Sequence, residues 1–389
     1  MQLPQDKPQK KDIPVIEEED FEDRHNAARR VMAANGIDLL ILSGSVNLYY
    51  FSGIEVPAKD RLFAMFLPKE GDPFFICPGF EKASVLEKIK YGSGNIRTWE
   101  EYEDPFALSA SILRSRNLGN KTIGIDEGMP FWYFSRFKKS LPYANFTDAN
   151  QITNKLRSIK SGKEIALIRR ASEISLQVHK IAFSSLFEGM TEHDINRIYH
   201  EAHEKLGASN VWGGASFGPA SSFVHGTQQT FVLREGMVIL ADSGGAVDHY
   251  TSDISRTITF GSPPEKVRAA WEVARKAQLA GIEAIRPGVT CESVDLAIRK
   301  VIEDSGWLPS YKYLRHRAGH GIGLEVHEPP YLVEGNKTPL EENMVVSFDG
   351  AIYFEGEFGI RLEDNIRVTE DGCEIFGDQL ATSIETPLG

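Results

Sequence analysis

The chain has 389 residues, of which 41% are hydrophobic, 25% are charged and 10% are aromatic. This composition is typical of a folded globular protein and excludes the disordered, collagen-like and low-complexity classes, and the length predicts two domains. The formal net charge of −12, from 43 basic and 55 acidic residues, argues against a general affinity for nucleic acid or for an anionic membrane.

The cysteines and the first residues bear on the cellular compartment. Cys77, Cys291 and Cys373 lie far apart and form no C-x-x-C pattern, so we expect neither a disulfide framework nor a thiolate metal site. Residues 1–20 are charged, contain proline and lack the apolar core of a signal peptide. We therefore interpret residues 1–20 as a flexible tail and predict a cytoplasmic protein with no membrane contact.

Helix and strand patterns alternate over residues 21–153 and predict a small α/β domain. A helix at 25–34 leads to a strand at 38–42, and a turn at 43–47 and an aromatic run at 48–51 follow. Further strand candidates are 62–67, 73–76 and 122–125, and further helix candidates are 81–89, 106–114 and 133–139. The polar stretch 147–155 is the expected linker to a second domain at 154–389.

The second domain contains an internal repeat. Long helical patterns cover 163–187 and 192–206. A Gly-x-Thr helix start at Thr191 recurs 99 residues later at Thr290, and a strand that ends at Asp242 recurs 107 residues later and ends at Asp349. Each half therefore supplies helices and then a hairpin, which predicts a pseudo-twofold α/β domain with its sheet in the middle.

Two predicted hairpins each bring a pair of carboxylates together. A turn centred between residues 247 and 248 would place Asp242 directly opposite Asp253, and a turn centred on residue 356 would place Asp349 opposite Glu363. Opposed residues of an antiparallel pair share a face, and like charges there destabilise the sheet. Two such pairs call for cations, and facing carboxylates suit two metal ions a few ångströms apart.

A histidine motif lies between the two hairpins in the chain. His320 is flanked by glycines, which let backbone approach a ligand closely. Four carboxylates and one imidazole suit a divalent ion such as Mn, Co, Zn or Fe. The residues alone therefore predict a metal site and leave the roles of His225 and His327 open.

These motifs resemble those of the pita-bread metallopeptidases, the family of Xaa-Pro dipeptidases (prolidases), aminopeptidase P and methionine aminopeptidase, with creatinase as a relative. The resemblance covers nearly all of residues 21–389 and rests on the Asp242–Asp253 hairpin, the Gly-His320-Gly motif and the Arg361-Leu-Glu363 motif. Residues 38–53 resemble the creatinase-type N-terminal domain, which methionine aminopeptidases lack. The implied fold is a pita-bread catalytic domain that follows a smaller creatinase-type α/β domain.

The resemblance implies a dinuclear metal centre. The ligands would be Asp242, Asp253, His320, Asp349 and Glu363, with Asp253 and Glu363 bridging two divalent ions. Manganese is the first expectation, with cobalt, zinc or iron as alternatives. The implied reaction is hydrolysis of the peptide bond before proline by a hydroxide that bridges the ions.

The resemblance also implies roles for residues around the metals. His225 and His327 would bind the substrate and steady the tetrahedral intermediate, and Asp349 is the candidate for proton relay. Arg361 is a candidate for binding a substrate carboxylate, with an ion pair to a neighbouring acid as the alternative. Tyr331 is a further candidate for substrate binding, because some prolidases carry an arginine for the proline carboxylate at that position.

Asp349 departs from the family pattern, which has glutamate followed by proline at that position. The shorter side chain predicts weaker binding of one ion. The first interpretation is a cytoplasmic, homodimeric Xaa-Pro dipeptidase whose partner molecules are small peptides. The alternatives are aminopeptidase P, a creatinase-like hydrolase or lyase of a small non-peptide substrate, and a catalytically inactive pita-bread binding protein.

Overall fold

The computed structural model describes residues 13–55, 60–91, 95–224, 226–377 and 380–388. The chain forms two compact units, one made of Ile16–Arg157 and the other mainly of the residues from Ser158 onward. The first helix begins at Glu18, inside the segment predicted as a tail, and the domain boundaries at 20/21 and 153/154 stay predictions. No helix in the described ranges is long and apolar enough to cross a membrane.

A six-stranded sheet is the centre of the N-terminal unit. Its strands are β1 (Leu39–Leu42), β2 (Ala64–Pro68), β3 (Phe74–Pro78), β4 (Ile96–Trp99), β5 (Thr122–Ile125) and β6 (Asn145–Asp148). Their order is β4-β3-β2-β1-β5-β6, with β2 antiparallel to both neighbours and the other pairs parallel. Strands β1, β2 and β3 are buried at every residue, which explains their unbroken apolar runs.

The described residues of this part of the chain form six α-helices. They are α1 (Glu18–Ala34), α2 (Val46–Ser52), α3 (Lys82–Lys88), α4 (Pro105–Ser115), α5 (Phe131–Ser140) and α6 (Asn150–Ser158). The aromatic run 48–51 lies in α2, which Ser45 caps and Gly53 ends at a φ of +73°. The expected linker 147–155 is instead the end of β6 and most of α6, because Asp148 accepts the Asn150 N–H at 2.9 Å and Ile152 is fully buried.

The second unit contains a nine-stranded antiparallel sheet. Its strands are β7 (Ser209–Phe217), β8 (Val238–Val247), β9 (Tyr250–Thr251), β10 (Ile254–Thr259), β11 (Gly319–Gly321), β12 (Glu328–Leu332), β13 (Val345–Phe354), β14 (Phe358–Val368) and β15 (Cys373–Ile375). The main order is β12-β11-β13-β14-β10-β8-β7, with β9 on β8 and β15 on β14. The hairpins β8–β10 and β13–β14 are therefore side by side in the middle of the sheet.

Helices flank this sheet and follow the predicted repeat. They are α7 (Gly162–Ser184), α8 (Glu192–Lys205), α9 (Glu265–Ala284), α10 (Cys291–Asp304) and the short α11 (Ser310–Tyr313). Apolar side chains of α9 and α10, such as Trp271 and Ile298, share one buried cluster with Phe348 of β13.

Equivalent backbone hydrogen bonds confirm the pseudo-twofold arrangement. The N–H of Gly189 donates to the carbonyl of Leu233 at 2.9 Å, and the N–H of Gly288 donates to the carbonyl of Leu340 at 2.8 Å. Both glycines have positive φ, +93° and +82°, a conformation that glycine adopts without steric cost. Each half therefore places a helix start against the segment before its central hairpin, as the repeat predicts.

Candidate active site

The second carboxylate hairpin has the predicted register. Asp349 of β13 lies directly opposite Glu363 of β14, and Gly356 takes a φ of +73° in the turn that joins them. Glu363 is also opposite Ser255 of β10, so this pairing brings the two hairpins together at the site.

In the first hairpin the predicted register is wrong by two residues. Asp242 of β8 lies opposite Ser255, not opposite Asp253. The turn consists of Asp248 and His249, which have φ values of +45° and +70°, and positive φ at both positions is the type I′ turn that suits the twist of two antiparallel strands. This turn lies one residue later than predicted, so Asp253 falls in the link between β9 and β10.

Three carboxylates nevertheless converge. Asp242, Asp253 and Glu363 each offer one oxygen, and these oxygens lie within 4.8 Å of one another. The hydroxyl of Ser255 lies 2.8 Å from both Asp242 Oδ1 and Glu363 Oε2. Ser347 donates to Glu363 Oε1, also at 2.8 Å. The two serines therefore orient the carboxylates of Asp242 and Glu363.

Asp253, Asp349 and Glu363 do not share the negative charge of the site equally. Burial raises the pKa of Asp253 and Asp349 well above the usual range, and the neighbouring charge of Glu363 raises both further. Burial also acts to raise the pKa of Glu363, but the positive charge of Arg361 and the hydrogen bonds from Asp349 and Ser255 outweigh it and lower that pKa to about 2. Glu363 is thus the ionised acid, and Asp253 and Asp349 favour the protonated form unless a cation is bound.

Two buried carboxylate oxygens indicate which kind of ligand fits the site. Within the described chain, Asp253 Oδ1 and Asp349 Oδ1 are buried without a hydrogen-bond partner. An unsatisfied buried polar atom costs about 1–3 kcal/mol, and a divalent cation would satisfy both. Oxygen-rich donors with one imidazole fit such an ion, so the residues present fit the predicted metal centre.

The imidazole donor is His320 of β11. Its Nε2 lies 3.5 Å from Asp253 Oδ2 and 3.9 Å from Glu363 Oε1, and its Nδ1 lies 3.1 Å from the carbonyl of Gly321. This carbonyl assigns the proton to Nδ1 and leaves the Nε2 lone pair directed at the acids. Burial lowers the pKa of His320 to about 4, so the ring is neutral at pH 7 and can coordinate a metal.

Asp349 is the one predicted ligand outside the three-residue groups of the described chain that could hold a metal ion. Besides the three-carboxylate cluster, one further group in the described residues has all its ligand atoms within 4.8 Å of one another, and it consists of Asp253, His320 and His327. Asp349 belongs to neither group. Its Oδ2 lies 3.9 Å from Nδ1 of His316. The weaker binding of one ion that the shorter side chain predicts stays a prediction.

A cavity of about 610 Å³ opens beside these groups. Its wall includes the five predicted ligands together with Trp212, Val224, His316, Arg317, Val326, His327 and Arg361. The exposed ring of His327 lies perpendicular to that of His320, with centroids 4.2 Å apart. His225 lies outside the described residues, and the preceding residue, Val224, is part of the wall.

Two predicted substrate-binding residues have protein partners. Arg361 forms an ion pair with Asp242, and its Nε lies 3.4 Å from Glu363 Oε2, so it contacts neighbouring acids as the alternative interpretation proposed. Tyr331 is not part of the described cavity wall, and its ring packs under the guanidinium of Arg317 at 4.2 Å. Substrate contacts of Arg361 and Tyr331 stay predictions.

Sequence reasoning missed Ser255, Ser347 and Arg317. Ser255 is two residues after Asp253, so strand alternation alone places both side chains on one face. Arg317 comes three residues before His320, and a cation next to a metal-binding motif is a signal that could have been used. Ser347 is likewise two residues before Asp349 in β13, so the same alternation places these side chains on one face.

Comparison with known proteins agrees with this geometry. The sequence profile of metallopeptidase family M24 matches residues 166–370, and that of the creatinase/prolidase N-terminal domain matches residues 24–159. The chain belongs to metallopeptidase family M24. Membership makes it a metal-dependent peptidase, and divalent metal ions are the cofactors of the family.

Individual relatives align over most of their length. The Xaa-Pro dipeptidase of Lactobacillus helveticus is 32% identical over 352 residues, which cover 87% of this chain and 92% of the relative. The crystal structure of dipeptidase PepE from Mycobacterium ulcerans superposes with a TM-score of 0.88 at 30% identity, covering 94% of this chain and 98% of that one. A prolidase from Thermococcus sibiricus superposes with a TM-score of 0.84 at 27% identity, covering 92% and 96%.

Proposed function

We propose that this member of family M24 is an Xaa-Pro dipeptidase that hydrolyses the bond before proline through a dinuclear metal centre. The observation that carries the proposal is the convergence of Asp242, Asp253 and Glu363 beside the neutral imidazole of His320. The names of the relatives, an Xaa-Pro dipeptidase, a dipeptidase and a prolidase, support the substrate class.

The metal ligands would be Asp242, Asp253, His320, Asp349 and Glu363, with Asp253 and Glu363 shared between two ions. When bound, the ions would polarise the scissile carbonyl and lower the pKa of a coordinated water. The carboxylate-rich donor set supports Mn²⁺ as the ion, because oxygen ligands suit this hard cation.

The protein's own residues would hold this centre in place and receive the substrate. Ser255 and Ser347 orient Glu363, and Arg361 orients Asp242, so the carboxylates need not reorganise when charge develops. His327 stands exposed in the cavity wall next to His320, where its imidazole can donate a hydrogen bond to a substrate carbonyl. His225 is proposed for the same role.

We further propose that the enzyme is a cytoplasmic homodimer. The cysteines Cys77, Cys291 and Cys373 are free thiols in the structure, which suits a reducing compartment. The dimer rests on the resemblance to prolidases, and light scattering on the purified protein tests it directly.

The decisive experiment assays one metal-loaded sample on an Xaa-Pro dipeptide, an Xaa-Pro tripeptide and creatine, with and without chelator. The proposal requires metal-dependent cleavage of the dipeptide. Cleavage of tripeptides alone would identify an aminopeptidase P, cleavage of creatine alone would identify a creatinase-like enzyme, and metal binding without turnover would identify a binding protein.

A pair of matched variants ties the activity to the site. Asp253→Asn should abolish metal binding and turnover, because it removes a charged ligand from the centre of the cluster. Asp248→Asn makes the same chemical change five residues away, at an exposed turn position with a φ of +45° that asparagine tolerates. It should behave as the wild type.

A further inference from the structure

Asp253 is central among the proposed metal ligands, yet it lies outside the regular strand ladders. Among the described residues, one group of side chains that could hold a metal ion joins it to Asp242 and Glu363. The other joins it to His320 and His327, so the position of Asp253 affects both groups. Asp253 falls in the link between β9 and β10, and it has no register partner in the described part of the sheet. A contact other than strand pairing must therefore fix its backbone.

The side chain of Asn365 supplies this contact. The N–H of Asp253 donates to Asn365 Oδ1 at 3.1 Å, and the carbonyl of Asp253 accepts from Asn365 Nδ2 at 3.0 Å. Since a backbone N–H only donates and a backbone carbonyl only accepts, these two bonds assign both ends of the Asn365 amide. The amide thus offers Asp253 the acceptor and the donor that a neighbouring strand would otherwise offer.

The contact lies where the pairing of the two hairpins would continue. β10 and β14 share one register pair in the described sheet, at Glu363. Two residues along each strand from that pair, antiparallel register places Asp253 opposite Asn365 on one side and Thr257 opposite Arg361 on the other. There the Thr257 hydroxyl donates to the carbonyl of Arg361 at 3.0 Å and accepts its N–H at 2.9 Å. Side chains therefore join the hairpins on both sides of the pair.

Asn365 is itself held in place. It is fully buried in β14, where its backbone carbonyl accepts from the N–H of Phe376 at 2.9 Å. The hydroxyl of Ser172 in α7, also fully buried, donates to Asn365 Oδ1 at 2.9 Å. The amide therefore cannot turn away from Asp253 without also losing its hydrogen bond to α7.

We propose that Asn365 is a positioning residue of the metal centre, which holds the backbone of Asp253 where this carboxylate can serve both groups of ligands. This inference rests on the proposed function. Replacement of a residue that orients a metal ligand typically costs about 10- to 100-fold in metal affinity or activity. Because Asn365 acts through Asp253, its loss should weaken the binding of metal and leave the affinity for substrate unchanged.

The test compares Asn365→Leu with Asn47→Leu in calorimetric titrations of chelator-treated protein with Mn²⁺. Leucine is close to asparagine in size and has no hydrogen-bonding group. Asn47 is the matched control, because it is fully buried in the N-terminal unit, donates to Asp126 at 2.8 Å and accepts from Arg157 at 3.1 Å. Asn365→Leu should bind Mn²⁺ about 10- to 100-fold more weakly. Asn47→Leu should lose thermal stability to a similar extent and keep the wild-type affinity for Mn²⁺.

Two further measurements separate positioning from general damage to the fold. Excess Mn²⁺ should return the kcat of Asn365→Leu on Ala-Pro to within about threefold of the wild type, because mass action restores the loaded protein, and KM should not change. Ser172→Ala should weaken Mn²⁺ binding about 2- to 10-fold, the factor for one hydrogen bond between neutral groups. A kcat that excess Mn²⁺ does not restore would overturn the proposal.

The same titrations distinguish this inference from the proposed function. Ala-Pro cleavage by the wild type together with wild-type Mn²⁺ affinity in Asn365→Leu would overturn the role of Asn365 and leave the dipeptidase standing. If the leucine variant does not fold, unchanged affinity in Ser172→Ala has the same meaning. Mn²⁺ binding that depends on Asn365, in a protein that cleaves no Xaa-Pro peptide, would overturn the dipeptidase and support the positioning role.

Discussion

Replacement of Asp349 by glutamate should tighten the weaker of the two metal sites. The backbone at Asp349 cannot move toward the metal to compensate for a short side chain, because β13 is paired on both sides. The N–H of Asp349 donates to the Ala318 carbonyl of the β11 side at 2.8 Å, and Asp349 lies opposite Glu363 of β14 on the other. The side chain alone must reach the ion.

The size of the effect follows from coordination geometry. Asp349 hydrogen-bonds to Glu363 but is in neither of the three-residue groups of the described residues that could hold a metal, so a longer side chain would extend the donor set. Glutamate adds a carbon–carbon bond, about 1.5 Å of reach, and good coordination tolerates only about 0.2 Å. We expect the dissociation constant of the weaker site to fall about 10- to 100-fold, or about 1.4–2.8 kcal/mol.

The measurement is calorimetric titration of chelator-treated protein with Mn²⁺, followed by elemental analysis after dialysis. Wild-type protein should show two unequal sites and lose one ion first, and Asp349→Glu should bring the affinities together. Asp371→Glu, an exposed acid, is the matched control. Two equally tight ions in the wild type, with Asp349 bound directly to one, would refute the reasoning and leave the peptidase assignment intact.

Three further outcomes are expected. His225→Ala and His327→Ala should retain both metals and lower kcat about 10²–10³-fold, as expected for a lost transition-state contact. Loss of metal from either variant in elemental analysis would instead place that histidine among the ligands. Burial lowers the pKa of His203 from 6.5 to about 4. Its contribution to the free energy of unfolding is therefore complete above pH 6.5 and is lost as the pH falls toward 4, by about 1.4 kcal/mol per pH unit. Urea titrations of His203→Gln should show a shallower dependence of the unfolding free energy on pH, and an unchanged dependence would contradict this. Asp253→Asn should stabilise the metal-free protein at pH 7 by about 1–3 kcal/mol, because asparagine removes the free-energy cost of keeping a buried acid protonated above its usual pKa. Thermal unfolding should show that added Mn²⁺ no longer stabilises the variant.

The turn and register of the β13–β14 hairpin show how far the sequence alone determined the site. The Asp349–Glu363 register followed from the sequence because Gly356 stands at the centre of two matching apolar strands and readily adopts positive φ. The repeat of Thr191 and Thr290 followed for a similar reason, since helix caps and glycine turns are local. The residue types of the proposed metal ligands and their order were therefore visible without the fold.

The rest depended on residues that only the tertiary structure brings together. The type I′ turn at Asp248 displaced Asp253 by two register positions, because strand twist across the whole hairpin selects the turn, and glycines nearby offered competing choices. Which acid stays ionised was decided by Arg361 beside Glu363. The ion pair between Arg361 and Asp242 was decided in the same way, since an arginine is neutralised or left available by neighbours that are distant in the chain, and no local pattern records where those neighbours lie.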